Sequence, residues 1–207
     1  MQELFLAGGA VMWPLMALSA MAAAAIVQRC WFWANLLRQE QQIVTEILAI
    51  AAKDFPAAAE IAKSATNSAI GRFLYAPLAL IKPEPDLFQL ALESAADQEL
   101  SAMLRYEKLL ESVVALSPLL GLLGTVLGLI QSFSSIQLGE IVSNSQTQNL
   151  TQGIGQALVS TATGLVVAIF TLAFQRLFMA LHAGQVKIFR RAGNALELAY
   201  RQYWQAK

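Results

Sequence analysis

The chain has 207 residues, 57% of them hydrophobic and 14% charged, with a mean hydropathy of +0.52. A soluble domain carries about 25% charged residues, and a net charge of zero offers no electrostatic footprint for a nucleic acid held through its phosphates. One cysteine, Cys30, excludes an intramolecular disulfide framework and a cysteine zinc site; it reads as a small apolar filler near a membrane edge.

Leu4 to Val27 is the first uncharged apolar run. No Lys or Arg precedes it, so the basic n-region of a signal peptide is missing, and the run exceeds a typical h-region. It is expected to be a retained transmembrane helix, kinked at Trp13-Pro14. Trp31 and Trp33 follow Arg29 and are expected to form an aromatic belt at the interface.

The stretch from Arg29 to Glu111 reads as helical. Ile43, Ile47 and Ile50 recur at helical spacing between Leu36 and Lys53. Phe55-Pro56 marks a break and a new helix start, and Lys82-Pro83-Glu84-Pro85 marks a turn. From Asp86, the expected N-cap, neither Pro nor Gly occurs before Pro118. The helix is therefore expected to run unbroken from Asp86 to Phe133, roughly 70 Å at 1.5 Å per residue, with a kink at Pro118.

Ser112 to Gln175 carries a single charge, Glu140. The apolar runs Val113 to Ile136 and Ile154 to Phe174 flank it, and each matches the roughly 20 residues needed to cross a hydrocarbon core of about 30 Å. The polar segment Gln137 to Thr151 between them is the expected turn of a transmembrane hairpin, with Glu140 a solvated loop charge. The third helix is expected to continue from Gln152 past Arg176 to about Trp204. The chain thus divides into a first span at 1–28, a helical loop at 29–111, the hairpin at 112–175 with its turn at about 137–151, and a C-terminal helix at 176–207. All 14 Lys and Arg lie between Arg29 and Lys108 or between Arg176 and Lys207. By the excess of basic residues on the cytoplasmic side, the fold class expected is an all-α membrane protein of three transmembrane helices. The N-terminus is outside and the C-terminus inside, and the second and third helices extend into the cytoplasm.

Ser117, Gly121, Gly124, Thr125, Gly128 and Ser132 recur at steps of three and four and share one helix face. Gly153, Ala157, Thr161, Gly164 and Ala168 make a similar face on the third span, with Gln152, Gln156 and Ser160 beside it. Small faces allow membrane helices to approach closely, which is the role expected of Gly121, Gly124, Gly128 and Gly164. A hydroxyl in mid-membrane either bonds its own helix carbonyl or lines a hydrated path; for Thr125 and Thr161 the two readings are evenly matched. No Asp, Glu, Lys, Arg or His lies within any span. Hydroxyls and amides can hydrate a proton path but cannot store a proton near neutral pH. Any proton conduction therefore needs an acid from another chain. His182 lies beyond Arg176 and reads as structural or interfacial. Nothing points to catalysis, a metal or a cofactor.

Leu120-Gly121-Leu122-Leu123-Gly124-Thr125-Val126, with Gly128 and Phe133, resembles the second-span motif of the MotA/TolQ/ExbB proton channel family. Gly153-Ile154, Ala157-Leu158, Thr161-Ala162 and Gly164-Leu165, with Val167-Ala168-Ile169, resemble its third-span motif. Trp13-Pro14-Leu15 and Arg29 are similar to its first span and exit. The chain's length favours the ExbB/TolQ branch over the four-span flagellar stators. The resemblance implies a homopentamer in the bacterial inner membrane around an ExbD/TolR-like single-span partner carrying a membrane aspartate. That assembly drives a TonB-like protein, or serves a TolQ-like role in envelope integrity. It implies a proton path lined by Thr125 and Thr161, and Gln156 and Ser132, on the same polar faces, are expected to line it with them. Many members have Glu where this chain has Gln156, and a proline often stands where this chain has Phe170. A non-conducting membrane scaffold is the alternative from another class.

Overall fold

The computed structural model describes residues 9–37, 40–51, 53–134 and 144–205. These form helices and no strand: α1 Met12–Leu36, α2 Glu40–Ala51, α3 Phe55–Ser64, α4 Ala69–Leu78, α5 Pro85–Met103, α6 Glu107–Ser134 and α7 Asn144–Gln205. Among the described residues, three stretches are long and apolar enough to cross a membrane: Met12–Leu36, Pro85–Phe133 and Gly153–Gln205. The chain divides into two compact units.

The first unit joins the N-terminal stretch through Gln28 to Tyr106–Leu177. Because α1 begins at Met12, Pro14 falls in its first turn, where backbone N–H groups have no partner inside the helix and the missing one costs nothing. The mid-helix kink expected at Trp13-Pro14 is thereby corrected to a helix start. Val11, Met12 and Leu15 are buried together, with Leu120 of α6 packed against them. Pro118 does sit inside α6, where it withholds the N–H that the Val114 carbonyl would otherwise accept. α7 begins at Asn144, eight residues before the expected Gln152, so the second half of the expected turn is helical. Glu140 lies outside the described residues.

The second unit comprises Arg29–Arg105 and Phe178–Lys207. Short helices suit its sequence. Asp54 caps α3 by accepting from the Ala57 N–H at 3.4 Å, with Pro56 in the first turn. Ser68 caps α4 by accepting from the Gly71 N–H at 3.1 Å. These side chains satisfy donors that a helix start leaves free. The core is aromatic: Phe73 packs on Phe189 with ring centres 4.7 Å apart, and Phe88 stacks on Tyr200 at 4.0 Å. The Tyr200 hydroxyl donates to the Pro83 carbonyl at 2.6 Å, giving a buried polar tip its partner. Arg72 of α4 pairs with both carboxylate oxygens of Glu99 on α5, each at 2.6 Å. Phe55, Pro77, Leu80, Tyr203 and Trp204 line a cavity of about 710 Å³.

Two expectations for this region are corrected. The cap residue of α5 is Glu84, with Pro85 opening the helix and Asp86 in its first turn, so Asp86 favours the positive helix end without capping it. The unbroken helix expected from Asp86 to Phe133 is interrupted at Leu104–Tyr106. Tyr106 adopts φ 68°, in the left-handed region, and the chain cannot carry the helical ladder through it. The break frees the Met103 carbonyl, which accepts a hydrogen bond from the Arg29 guanidinium. Arg29 is buried, and its guanidinium lies over the rings of Phe32, Trp33 and Phe178 at 5.1, 5.5 and 5.8 Å. Of the two tryptophans expected at an interface, Trp31 is exposed and Trp33 is buried in this cluster.

The candidate site: a hydroxyl seam between two apolar helices

The facing sides of α6 and α7, within the first unit, are lined by small residues. Ser117, Gly121, Gly124, Gly128 and Ser132 of α6 are buried, as are Gly153, Ala157, Ser160, Gly164 and Ala168 of α7. Backbone meets backbone here. A Cβ built on Gly121 would lie 3.0 Å from the Ser160 carbonyl oxygen and 3.0 Å from the Thr161 Cα; one on Gly128 would lie 2.8 Å from the Gly153 carbonyl oxygen. One on Gly164 would run into the Ser117 carbonyl oxygen, and one on Gly124 into the Ser160 hydroxyl. With no solvophobic drive between helices in lipid, such approach supplies the dispersion contacts that hold them together.

The opposite sides are apolar and open. Leu119, Leu122, Val126, Ile130 and Phe133 of α6 are each about half exposed or more, as are Leu158, Ile169 and Phe170 of α7. The helices therefore present a lipid- or neighbour-facing surface outside and a polar seam within.

The hydroxyls of the seam are individually placed. Thr161 donates across to the Gly121 carbonyl at 2.9 Å, and Ser160 lies 3.4 Å from the same oxygen while donating to Ala157 of its own helix at 2.8 Å. Ser132 donates to the Gly128 carbonyl at 2.8 Å. Thr125, half buried, donates to the Leu122 carbonyl at 2.6 Å. Ser117 has a fully buried hydroxyl oxygen with no partner among the described residues. Thr161, Ser132 and the four glycines thus come together along one seam. Thr125, a turn beyond Gly121, bonds within its own helix. Gln156 lies on α7 with its side chain outside the described residues.

Chemically, the hydroxyls of Thr125, Ser132, Ser160 and Thr161 each have the proton committed to a carbonyl yet keep acceptor lone pairs. The seam can accept hydrogen bonds from water or a neighbouring helix, but it has no acid. Among the described residues no group of His, Cys, Asp or Glu could hold a metal ion. Sequence reasoning placed Ser160 beside the small face and missed that it shares the Gly121 carbonyl with Thr161. It also missed Ser117 as an orphan hydroxyl, a property that burial reveals and spacing does not.

A family model described as the MotA/TolQ/ExbB proton channel family matches residues 65–191. The chain is 48% identical over 200 residues to a Synechocystis protein named biopolymer transport protein ExbB-like 1, covering 97% of this chain and 79% of that one. It is 38% identical to the same organism's ExbB-like 3 over 198 residues, 96% of this chain and 94% of that one. It is also 31% identical to the Tol-Pal system protein TolQ of Haemophilus influenzae, over 52% of this chain and 45% of that one. The matched segment contains α6 and most of α7, and with them the whole seam. This multi-pass membrane protein belongs to the MotA/TolQ/ExbB proton channel family.

Proposed function

We propose that this chain is the channel subunit of an ExbB/ExbD-type complex in the bacterial inner membrane, coupling the proton motive force to TonB-dependent uptake across the outer membrane. The observation that carries the reading is the seam itself. It is a continuous row of buried hydroxyls and backbone carbonyls on helices whose membrane portions hold no ionisable side chain from Ser112 to Ser134 or from Asn144 to Gln175. Such a row can hydrate a path, while the proton-binding acid comes from a single-span partner of the ExbD/TolR type. In this reading five copies surround the partner helices, the N-terminus faces the periplasm, and Thr125 and Thr161 face the pore. The protein is not an enzyme in the bond-making sense, and it takes no cofactor.

The test replaces Thr125 and Thr161 together with Val, which keeps shape and removes both hydroxyls. Proton flux of the partner-containing complex in liposomes is expected to fall severalfold, and the matching double Ser variant is expected to recover it. Full flux in the Val variant overturns the pore role. A second reading, a non-conducting scaffold, draws on the spent hydroxyl protons of Thr125, Ser132 and Thr161; it predicts unchanged assembly and no flux in the native complex. The partial likeness to TolQ adds a role in envelope integrity, which uses the same channel chemistry.

A further inference from the structure

The second unit contains a buried polar pair: Glu40, outside the three apolar stretches, and Gln185, on α7 past the uncharged run that ends at Gln175. Glu40 opens α2 and is 3% exposed; Gln185 lies on α7 and is 1% exposed. The Gln185 Nε2 donates to Glu40 Oε2 at 2.6 Å. The other oxygen of each group, Glu40 Oε1 and Gln185 Oε1, is buried without a partner among the described residues. An ionised carboxylate only accepts hydrogen bonds, so two buried acceptors would then be left with no proton between them. Reversing the amide does not help, because it would set the amide oxygen against Oε2 and leave the same shortage of one proton.

We propose that Glu40 is a proton-binding site, a neutral carboxylic acid closed onto the Gln185 amide by two antiparallel hydrogen bonds that join α2 to α7. The amide N–H supplies one bond. The acid O–H supplies the other, to the amide oxygen. Burial raises the Glu40 carboxyl above its ordinary range, and the opposing pull of the Gln185 hydrogen bond is the smaller effect. Among the described residues, the surrounding elements offer no cation to hold it ionised. On α1, Arg29 is committed to the Met103 carbonyl and three rings. On α7, His182 lies one turn before Gln185 with its Nε2 buried and unpartnered, and Lys187 is exposed. Glu46 of α2 and Glu60 and Lys63 of α3 are exposed, and Arg72 of α4 is paired with Glu99.

A group whose folded pKa is raised contributes stability that is complete below its unfolded pKa and is lost as pH rises through the folded one. The link between α2 and α7 is therefore strongest in acid and loosens upward from the ordinary carboxylate range.

The experiment uses the full chain in nanodiscs. Infrared difference spectra at neutral pH are expected to show a protonated-carboxyl band in the native protein that Glu40→Gln removes. The thermal-unfolding midpoint of the native protein is expected to fall as pH rises above the carboxylate range. Glu40→Gln is expected to fold and to show no such slope, since a second amide closes the same two-bond ring without an added proton. His182→Asn is expected to keep the native slope. The proposal is overturned by absence of the band, by a slope surviving in Glu40→Gln or vanishing in His182→Asn, or by failure of Glu40→Gln to fold.

Discussion

Glycine at three positions of α7 shows how one atom divides packing from propensity. Gly164 faces the Ser117 carbonyl, a backbone atom that cannot swing aside, whereas Gly184 has nothing within 4 Å of where a Cβ would stand. Gly193 is intermediate, with the ends of the Phe73 and Leu92 side chains 3.1 Å away. Gly164→Ala is expected to destabilise the hairpin by about 1–3 kcal/mol, the usual cost of overpacking. Gly184→Ala is expected to stabilise by up to about 1 kcal/mol through lost unfolded-chain freedom. Denaturant or thermal unfolding followed by circular dichroism checks both signs, and equal effects at the two sites would contradict the packing described. The step of three and four that gathers Gly121, Gly124, Gly128 and Gly164 is visible in the sequence. Which hydroxyl crosses the seam is not: Thr125 and Thr161 sit in similar motifs, yet Thr161 donates to the other helix and Thr125 to its own.

At the scale of the element, helix ends are where expectation and structure part. The stretch from Asp86 to Phe133 contains nothing that breaks a helix before Pro118, so local propensity favours one rod. Two helices form because the carbonyl released at Met103 is taken up by Arg29, 74 residues earlier in the chain, and because Tyr106 is held at φ 68°. An arginine fork suits this site: it donates to the carbonyl while its flat face lies over Phe32, Trp33 and Phe178. Arg29→Lys keeps the charge and loses the fork and the stacking. It is expected to destabilise the second unit by about 1–3 kcal/mol and to speed amide exchange in the last turn of α5, read by hydrogen-exchange mass spectrometry. Unchanged exchange there would remove Arg29 from the account of the break. α7, by contrast, has its apolar stretch and its amphipathic tail in one register, and 62 residues form a single helix.

At the scale of the whole molecule, the proposed direction of insertion has a direct check. Cys30 is the only cysteine and is exposed, two residues past the end of the first unit's N-terminal segment. With the N-terminus outside, a membrane-impermeant maleimide is expected to label Cys30 in inverted inner-membrane vesicles and to leave it unlabelled in intact spheroplasts. The opposite pattern reverses the topology. Three apolar helices and the family they belong to were settled by the amino-acid sequence itself. A hydrocarbon layer of about 30 Å accepts only backbone that satisfies its own hydrogen bonds, so uncharged runs of this length have one outcome. The partners of the buried polar groups were decided only by tertiary structure. Glu40 meets Gln185 across 145 residues, and a contact so distant along the chain leaves no period to read. Its geometry exists only once both helices have been brought together by the apolar surface around them.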